Sequence, residues 1–222
     1  VLNVLLNLMI YHGAGNVSTY TALVAHSGGN DMYQAAAAMC NGLSGFNHGG
    51  AAYQGLRFVL NDLNIENCSD REALRAIAKE LIQRGLPIWC VGHRILRGSN
   101  DDPRAAVAKK LIEEIASRHK HGEVLLRRAS IWYEVAVEEI VTAKPGIGFQ
   151  AVNIDGYTGL LAYLAGLIPE KDAASIAGLF FAVSRTAGAL AECFWSGVSG
   201  KVALIRPSVV TMELLTRLAQ EA

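Results

Sequence analysis

The sequence has no excess of charge of either sign. Twenty lysine and arginine residues balance twenty aspartate and glutamate residues in a chain of 222. A neutral chain has no overall field to draw it to nucleic acid or to an anionic membrane surface. We therefore expect no nucleic-acid partner and no membrane partner. Any anionic ligand must be bound by a local group of basic side chains.

Cysteine pairs and metal-binding spacings are also missing. The four cysteines are far apart and form no CxxC motif, which argues against a zinc knuckle and a secreted disulfide framework. No HExxH motif is present, and His12, His48, His93 and Asp155 have no similar short spacing. A reducing cytosol or organelle interior fits this composition, and we expect a cytoplasmic protein without a metal site.

No stretch is typical of a signal peptide or a bilayer span. The apolar run Val1–Ile10 has neither a basic region nor a small-residue cleavage site beside it. Because the chain starts with valine, we expect that N-terminal residues are missing. Arg185 or Glu192 interrupts the apolar runs before they reach the length of a membrane span.

The sequence does contain strong helix signals. Hydrophobic residues make up 51% of the chain, enough for a sizeable core, and alternating β-patterns of useful length are absent. We therefore predict an all-α fold. The clearest predicted helices are one after the capping box Ser69–Glu72, one from the cap Asp102 and Pro103 to His121, one over Val124–Ala143, and an all-round apolar one over Asp172–Trp195, which should be buried.

Three histidines lie beside glycine: His12 in YHGAG, His48 in NHGGAA and His93 in VGHR. Glycine lets a ligand or another backbone approach closely. A helix that begins just after His48 would direct its free N–H groups and positive end at the imidazole. Since this disfavours the imidazolium, His48 is predicted to be a neutral hydrogen-bond donor. The alternative is that each is a loop histidine bonded to backbone.

Arg185 lies in the apolar stretch GLFFAVSRTAGALAE, where an exposed face is hard to find. A buried guanidinium must be paired, because desolvation costs several kcal/mol. Its partner is either a ligand anion or Glu192, two helical turns further on. By themselves, Arg104 and Arg206 are typical surface arginines, and Asp155 is typical of a helix N-cap.

Taken together, these segments resemble the citrate synthase family, in the same order and over nearly the whole chain. The motifs that carry the resemblance are His12-Gly13 through Asn16-Val17-Ser18, Asn47-His48-Gly49-Gly50-Ala51, Gly92-His93-Arg94 through Asp102-Pro103-Arg104, Asn153-Ile154-Asp155, Phe181 through Arg185, and Arg206-Pro207. Each motif alone is weak, but the ordered set is specific.

The resemblance implies an all-α homodimer that acts on an acyl-CoA and a 2-oxo acid such as oxaloacetate. Residues 1–52 and 160–222 would form a discontinuous large helical domain, and residues 53–159 a smaller helical domain. The chain is short for a citrate synthase, so part of the usual N-terminal region would be missing. No permanently bound cofactor is implied, since coenzyme A enters as the thioester substrate.

The resemblance also implies roles for individual residues. Asp155 would be the base that deprotonates the thioester methyl, His48 the donor to the enolate oxygen, and His93 the donor to the ketone of oxaloacetate. The substrate carboxylates would be bound by His12, Arg104, Arg185 and Arg206, and Arg206 would reach the site of the partner subunit. The coenzyme A phosphates would contact Arg94 and Arg97.

These residues are compatible with more than one activity. The same residues serve citrate synthesis and citryl-CoA cleavage. Asp155-Gly156 is similar to the lyases, whereas Gly15-Asn16-Val17-Ser18 and Phe181 through Arg185 are similar to the synthases. Propionyl-CoA in place of acetyl-CoA would give 2-methylcitrate. From other classes, a mononuclear metal hydrolase would use His12, His48, His93 and Asp155. An inactive regulatory or scaffold relative would keep the fold without turnover.

Overall fold

The part of the chain that the structure describes is helical. The computed structural model describes residues 1–63, 70–92, 102–144, 152–169, 173–198 and 203–205. The α-helices in these ranges are α1 Leu2–Met9, α2 Val17–Ser27, α3 Met32–Leu43, α4 Gly50–Arg57, α5 Arg71–Gln83, α6 Pro103–Ile115, α7 Gly122–Ala143, α8 Asp155–Leu164 and α9 Ala173–Val198. No strand occurs there beyond an isolated antiparallel bridge between Val91 and Val152, which agrees with the all-α prediction.

The helix starts differ from prediction in one place. As predicted, Asp102 caps α6 by accepting from the Arg104 N–H at 3.0 Å, and Pro103 is the first helical residue. For α5 the predicted cap was Ser69, but the structure uses Asp70, whose carboxylate accepts from two N–H groups of the first turn at 3.0 and 3.1 Å. Ser69 itself lies outside the described residues.

The end of α6 also differs from the prediction. The second predicted helix was expected to continue to His121, but α6 ends at Ile115. A 3-10 turn, Ala116–Arg118, follows it, and the chain reverses before α7 begins at Gly122. The helix therefore ends with the last residue of the apolar stripe, Ile115, and not at the glycine that follows His121. The prediction over Val124–Ala143 is confirmed by α7.

Helix α9 is the central element of the larger helix group. It packs against α1, α2, α3, α4 and α8. The prediction that it is buried all round is wrong, because Leu179, Val183, Phe194 and Trp195 are 56–69% exposed along one side. The stretch Ile176–Gly197 is long and apolar enough to cross a bilayer by length and composition. Its other side, however, packs on these helices and encloses Arg185.

The end of α4 is fixed by a buried arginine. A π-helical turn, Phe58–Asp62, continues α4, and Arg128 of α7 donates to the Val59 carbonyl in this turn at 2.9 Å. Phe58 also contacts the buried Trp132 ring, with ring centres 4.7 Å apart. These contacts attach α4 to α7. Because α4 begins just after His48, they also help to fix the position of that histidine.

A second helix group is formed by α5, α6 and α7. Arg71 and Arg75 of α5 form ion pairs of 2.7–3.1 Å with Glu134, Glu138 and Glu139 of α7. Most of these side chains are substantially exposed, so solvent and salt weaken these pairs and they contribute little to stability. Helix α6 packs on both α7 and α8 and thereby connects the two groups. The predicted domain limits stay a prediction.

We predict opposite effects on stability for two glycines of α9. An alanine Cβ at Gly188 would lie 1.9 Å from the Ile10 carbonyl oxygen, whereas at Gly178 the nearest atom would be 3.8 Å away. Gly188→Ala should therefore lower the free energy of unfolding by about 1–3 kcal/mol. Gly178→Ala should raise it by up to about 1 kcal/mol through helix propensity. Urea unfolding followed by circular dichroism measures both, and equal effects would contradict the close approach of α1 and α9.

Candidate active site

His48 lies at the start of α4, as predicted, but the helix amides are not free. The N–H groups of Gly49, Gly50, Ala51 and Ala52 bond to carbonyls of the preceding turn and of the helix start, at 2.9–3.3 Å. These backbone bonds therefore occupy the N–H groups that were expected to face the imidazole. The predicted neutrality of His48 is supported for another reason. Burial, followed by the charges of Arg185 and His12, lowers the pKa of His48 to about 4.

The imidazole of His48 contacts the N-terminal turn of α2. Its Nε2 atom lies 3.0 Å from Ser18 Oγ, and Ser18 Oγ lies 2.8 Å from Asn16 Oδ1. The Ser18 hydroxyl proton therefore has two acceptors in reach, the amide oxygen and an unprotonated Nε2. The other side of the ring packs edge-on against Phe181 of α9, with ring centres 5.8 Å apart.

Arg185 of α9 is fully buried and binds the same turn. Its Nε donates to the Met9 carbonyl at 3.0 Å, and its Nη1 donates to Asn16 Oδ1 at 2.7 Å and to Ser18 Oγ at 3.2 Å. The guanidinium carbon lies 4.8 Å from the centre of the Phe181 ring. Its Nη2 has no hydrogen-bond partner among the described residues.

Glu192 is not the partner of Arg185. The Glu192 carboxylate instead accepts from the Tyr11 hydroxyl at 2.8 Å. Arg185 lies nearly two turns away along α9 and points to the start of α2, so the two side chains serve different contacts. A buried guanidinium held by neutral groups, with one nitrogen unsatisfied, is suited to an anionic ligand.

Asp155 is the first residue of α8 and is not its N-cap, which is Ile154. Its Oδ1 atom is buried and has no hydrogen-bond partner among the described residues. Burial raises the pKa of Asp155 to about 7, with Asp102 adding to this and Arg104 and Arg185 opposing it. At neutral pH both the protonated and the ionised form of this carboxyl are therefore populated.

Arg104 is held beside Asp155 by Asp102. The guanidinium of Arg104 forms two bonds to the Asp102 carboxylate, at 3.0 and 2.8 Å, and only 18% of the side chain is exposed. Asp102 Oδ2 also accepts from the Ile154 N–H at 3.2 Å, which fixes the start of α8 to the start of α6. Burial acts against ionisation of Asp102, but Arg104 outweighs it and lowers the pKa. Arg104 is therefore not an ordinary surface arginine.

The charges of these residues act on one another. The charge of Arg185 adds to the effect of burial in lowering the pKa of His48, and it opposes the effect of burial in raising the pKa of Asp155. Burial, followed by the charge of Arg104, lowers the pKa of Arg185 to about 10, and the Asp155 carboxylate opposes this. The structure thus brings together five of the residues expected in the site: His12, His48, Arg104, Asp155 and Arg185. Two guanidinium groups that repel each other favour binding of a multiply charged anion between them.

A cleft of about 460 Å³ opens next to this cluster. Its walls include Asn47, which precedes His48, the segment Cys90–Gly92, Lys144 at the end of α7, and Asn153, which lies two residues before Asp155. The cleft thus reaches the segments that directly precede His48 and Asp155.

Four expected site residues lie outside the described part of the chain: His93, Arg94, Arg97 and Arg206. The segment before His93 is nevertheless anchored at the site, because the Asn153 side chain donates to the Gly92 carbonyl at 3.2 Å. Among the described residues, no three His, Cys, Asp or Glu side chains are grouped as metal ligands. The metal-hydrolase interpretation therefore has no support from that part of the chain.

Sequence reasoning missed the groups that hold the site together. Asn16 and Ser18 were quoted only as part of a motif, yet they join Arg185 to His48. Asp102 was predicted as a helix cap, but it also orients Arg104 and the start of α8. One sequence feature could have indicated Asn16. It is a polar residue in the glycine-rich segment GAGNVS, where glycine allows other groups to approach closely.

The fold agrees with comparison to known proteins. The family model described as citrate synthase, C-terminal domain, matches residues 1–208. The chain therefore belongs to the citrate synthase family. Citrate synthase 4, mitochondrial, of Arabidopsis thaliana is 31% identical over 207 residues, which are 92% of this chain and 41% of that protein. A probable mitochondrial citrate synthase of Leishmania braziliensis is 29% identical and covers 96% of this chain and 44% of its own.

Solved structures show the same fold. Citrate synthase of Thermoplasma acidophilum, in a ternary complex with carboxymethyl coenzyme A and oxaloacetate, matches with a TM-score of 0.77 and 25% identity over 95% of this chain and 51% of that one. Citryl-CoA lyase of Hydrogenobacter thermophilus matches with a TM-score of 0.62 and 24% identity, over 96% of this chain and 79% of that one. The chain thus spans less than half the length of the curated relatives named above.

Proposed function

We propose that this chain is the catalytic part of a citrate synthase-type enzyme, which joins acetyl-CoA and oxaloacetate to give citrate and coenzyme A. The observation that carries the proposal is the buried Asp155 carboxyl, with a pKa of about 7, in a cluster with a neutral His48 and two arginines. A carbon acid as weak as a thioester methyl needs both a base and a donor to the enolate oxygen.

Asp155 is proposed as the base. A general base works best when its pKa is close to the working pH, and burial brings this carboxyl to that range. Its unpartnered Oδ1 accepts the proton from the thioester methyl, and the electron pair moves to the carbonyl oxygen. The cleft beside Cys90–Gly92 supports this role, because Asn153, two residues before Asp155, is part of its wall.

His48 is proposed as the donor to the enolate oxygen. When the Ser18 hydroxyl donates to Nε2, the imidazole proton is on Nδ1 and is free to bind the thioester oxygen. Arg185 supports this arrangement, since its Nη1 donates to both Ser18 Oγ and Asn16 Oδ1 and so replaces the bond that Ser18 gives up. A pKa of about 4 keeps His48 neutral at physiological pH.

The second half of the reaction forms the carbon–carbon bond. The enolate carbon attacks the ketone carbon of oxaloacetate, and the proposed donor His93 supplies a proton to the resulting alkoxide. Arg104 and Arg185 bind the substrate carboxylates, with His12 as a further donor. Water then cleaves the citryl thioester to release citrate and the coenzyme A thiol. Arg94 and Arg97 are the proposed contacts of the coenzyme A phosphates.

We propose a homodimer in which Arg206 enters the partner's site. Ile205, the residue before Arg206, donates to Ser27 at the C-terminal end of α2 at 3.2 Å. Ser18 lies nine residues earlier in α2, about 13 Å along the helix axis. Ile205 therefore lies at the end of α2 opposite to the cluster. Exposed Val17, Tyr20 and Val24 on α2 offer a partner an apolar surface next to the site.

The direction, acyl group and location of the reaction are left to experiment. By microscopic reversibility, the same groups would cleave citryl-CoA, and propionyl-CoA in place of acetyl-CoA would give 2-methylcitrate. The proposed cytoplasmic location stays a prediction. The mitochondrial names of the plant and Leishmania relatives supply an organelle interior as the alternative. An enzyme of either compartment would need no permanently bound cofactor for these steps.

We predict that Asp155→Asn abolishes turnover without loss of oxaloacetate binding. The amide cannot accept the methyl proton, so thiol release from acetyl-CoA and oxaloacetate should fall by about 100-fold or more. Calorimetry should show oxaloacetate binding that is unchanged or tighter. Asp70→Asn is the matched control, since asparagine also caps α5 and leaves the site intact.

Two results would contradict the assignment. Near-normal turnover of Asp155→Asn would exclude Asp155 as the base. Absence of thiol release by the unmodified chain, together with absence of citryl-CoA cleavage in the parallel assay, would favour the inactive regulatory relative. Faster citryl-CoA cleavage than citrate formation would replace the synthase by the lyase and keep the residue roles.

Mixed dimers test the shared site. An Arg206→Ala subunit combined with an Asp155→Asn subunit leaves one site with both groups intact. By statistical mixing, about a quarter of wild-type activity should return from two inactive parents. The control pair, Arg185→Ala with Asp155→Asn, should stay inactive, because both residues belong to the same chain's cluster. No recovery in the first mixture would overturn the role of Arg206 across the interface.

A further inference from the structure

Two buried groups beside Asp155 have no role in the proposed chemistry. Cys90 is 4% exposed and Tyr133 is 2% exposed. Cys90 has a φ of 67°, and it is the only non-glycine residue with positive φ in the described part of the chain. Such a backbone is unfavourable for a residue with a Cβ and persists where surrounding contacts hold it.

The contacts of Cys90 join the two elements that carry the proposed base and donor. Its thiol donates to the Ala51 carbonyl at 3.3 Å, in the first turn of α4 just after His48. Its own carbonyl accepts from the Asn153 N–H at 3.0 Å, two residues before Asp155. Cys90 therefore spans the gap between α4 and the start of α8 with one side-chain bond and one backbone bond.

Tyr133 of α7 contacts the same region at the start of α8. Its hydroxyl donates to the Gly156 carbonyl at 3.1 Å, immediately after Asp155. The Tyr133 hydroxyl is also a hydrogen-bonding neighbour of the Cys90 thiol. The space around both is full, because a Cβ on Gly55 of α4 would lie 2.4 Å from the Cys90 sulfur and 3.7 Å from the Tyr133 oxygen.

We propose that Cys90 and Tyr133 are positioning residues that hold Asp155 at a fixed distance and orientation from His48. This inference rests on the proposed function, in which these two groups act on one thioester. Small displacements between reacting groups are costly, since a shift of about 1 Å can reduce turnover by about 100-fold. The inference extends the list of functional residues to two that are not among the reacting groups.

The groups around Asp155 distinguish a positioning role of Cys90 and Tyr133 from a purely structural one. Arg104 and Asp102 face Asp155 from α6, and Arg185 faces it from α9. Cys90 and Tyr133 face it as uncharged groups, because burial raises the pKa of each well above its ordinary value. They exclude water from the carboxyl without supplying charge. If the sulfur is removed, water gains access and the pKa of Asp155 should fall.

Substitutions of Cys90 separate the thiol bond from the fold. Cys90→Ala removes only the sulfur, and kcat for thiol release should fall by about tenfold while KM for oxaloacetate stays within about twofold. The acidic limb of the pH profile of kcat/KM should move to lower pH by about half a unit or more. Cys90→Ser restores a donor to Ala51 and should recover most of kcat. Tyr133→Phe should lower kcat with KM unchanged.

Cys193→Ala is the matched control, because Cys193 is an equally buried cysteine of α9. It should leave kcat and the pH profile unchanged. A Cys90→Ala enzyme with normal kcat and an unmoved acidic limb would overturn the inference, as would a Cys90→Ser enzyme no better than Cys90→Ala. Both results can be obtained only with an active wild-type enzyme. Failure of the inference can therefore be distinguished from failure of the proposed function.

A second readout does not depend on turnover. The carboxyl carbon of Asp155 is followed by NMR in ¹³C-aspartate-labelled protein, with Asp155→Asn for assignment. Its titration midpoint should be lower in Cys90→Ala than in wild type and unchanged in Cys193→Ala. An unchanged midpoint in Cys90→Ala would contradict the inference even for a chain that shows no activity.

Discussion

The site depends on burial of the Arg185 guanidinium. Removal of this charge from water costs several kcal/mol unless hydrogen bonds replace the water. The replacements are a main-chain carbonyl at the end of α1 and the side chains of Asn16 and Ser18 at the start of α2. Three helices are therefore fixed around one charge. The same charge acts on Asp155 and on His48, so the cluster is one electrostatic unit.

Burial also sets the protonation states that the chemistry needs. The same low-dielectric environment raises the pKa of the carboxyl and lowers the pKa of the imidazole, because it disfavours the charged form of each. A carboxyl that changes charge near pH 7 can act as a base, and an uncharged imidazole can donate without first losing a proton. The opposing arginines prevent the carboxyl from becoming fully neutral. Asp102 in turn neutralises part of their excess charge.

The sequence predicted those features that are local. Asp102 and Pro103 form a cap because the residues concerned are adjacent, and the helix after His48 follows from the alanines that come after two glycines. It could not predict contacts between distant segments. The competition between Glu192 and a ligand for Arg185 was decided by Tyr11, 181 residues away from Glu192, which binds that carboxylate. Likewise, apolar composition could not show which side of α9 packs against other helices.

The central claim is that the partly buried Asp155, whose Oδ1 atom is buried, has a pKa of about 7, against 3.8 for the ordinary carboxyl. A native pKa above the unfolded one means that stability is lost as pH rises from about 4 to 7, at roughly 1.4 kcal/mol per pKa unit. The most direct test is urea unfolding of wild type and Asp155→Asn between pH 4 and pH 8. We expect equal stability near pH 4, a growing advantage of Asp155→Asn up to pH 7, and a constant advantage above it. Equal stability of the two proteins at pH 8 would contradict the account.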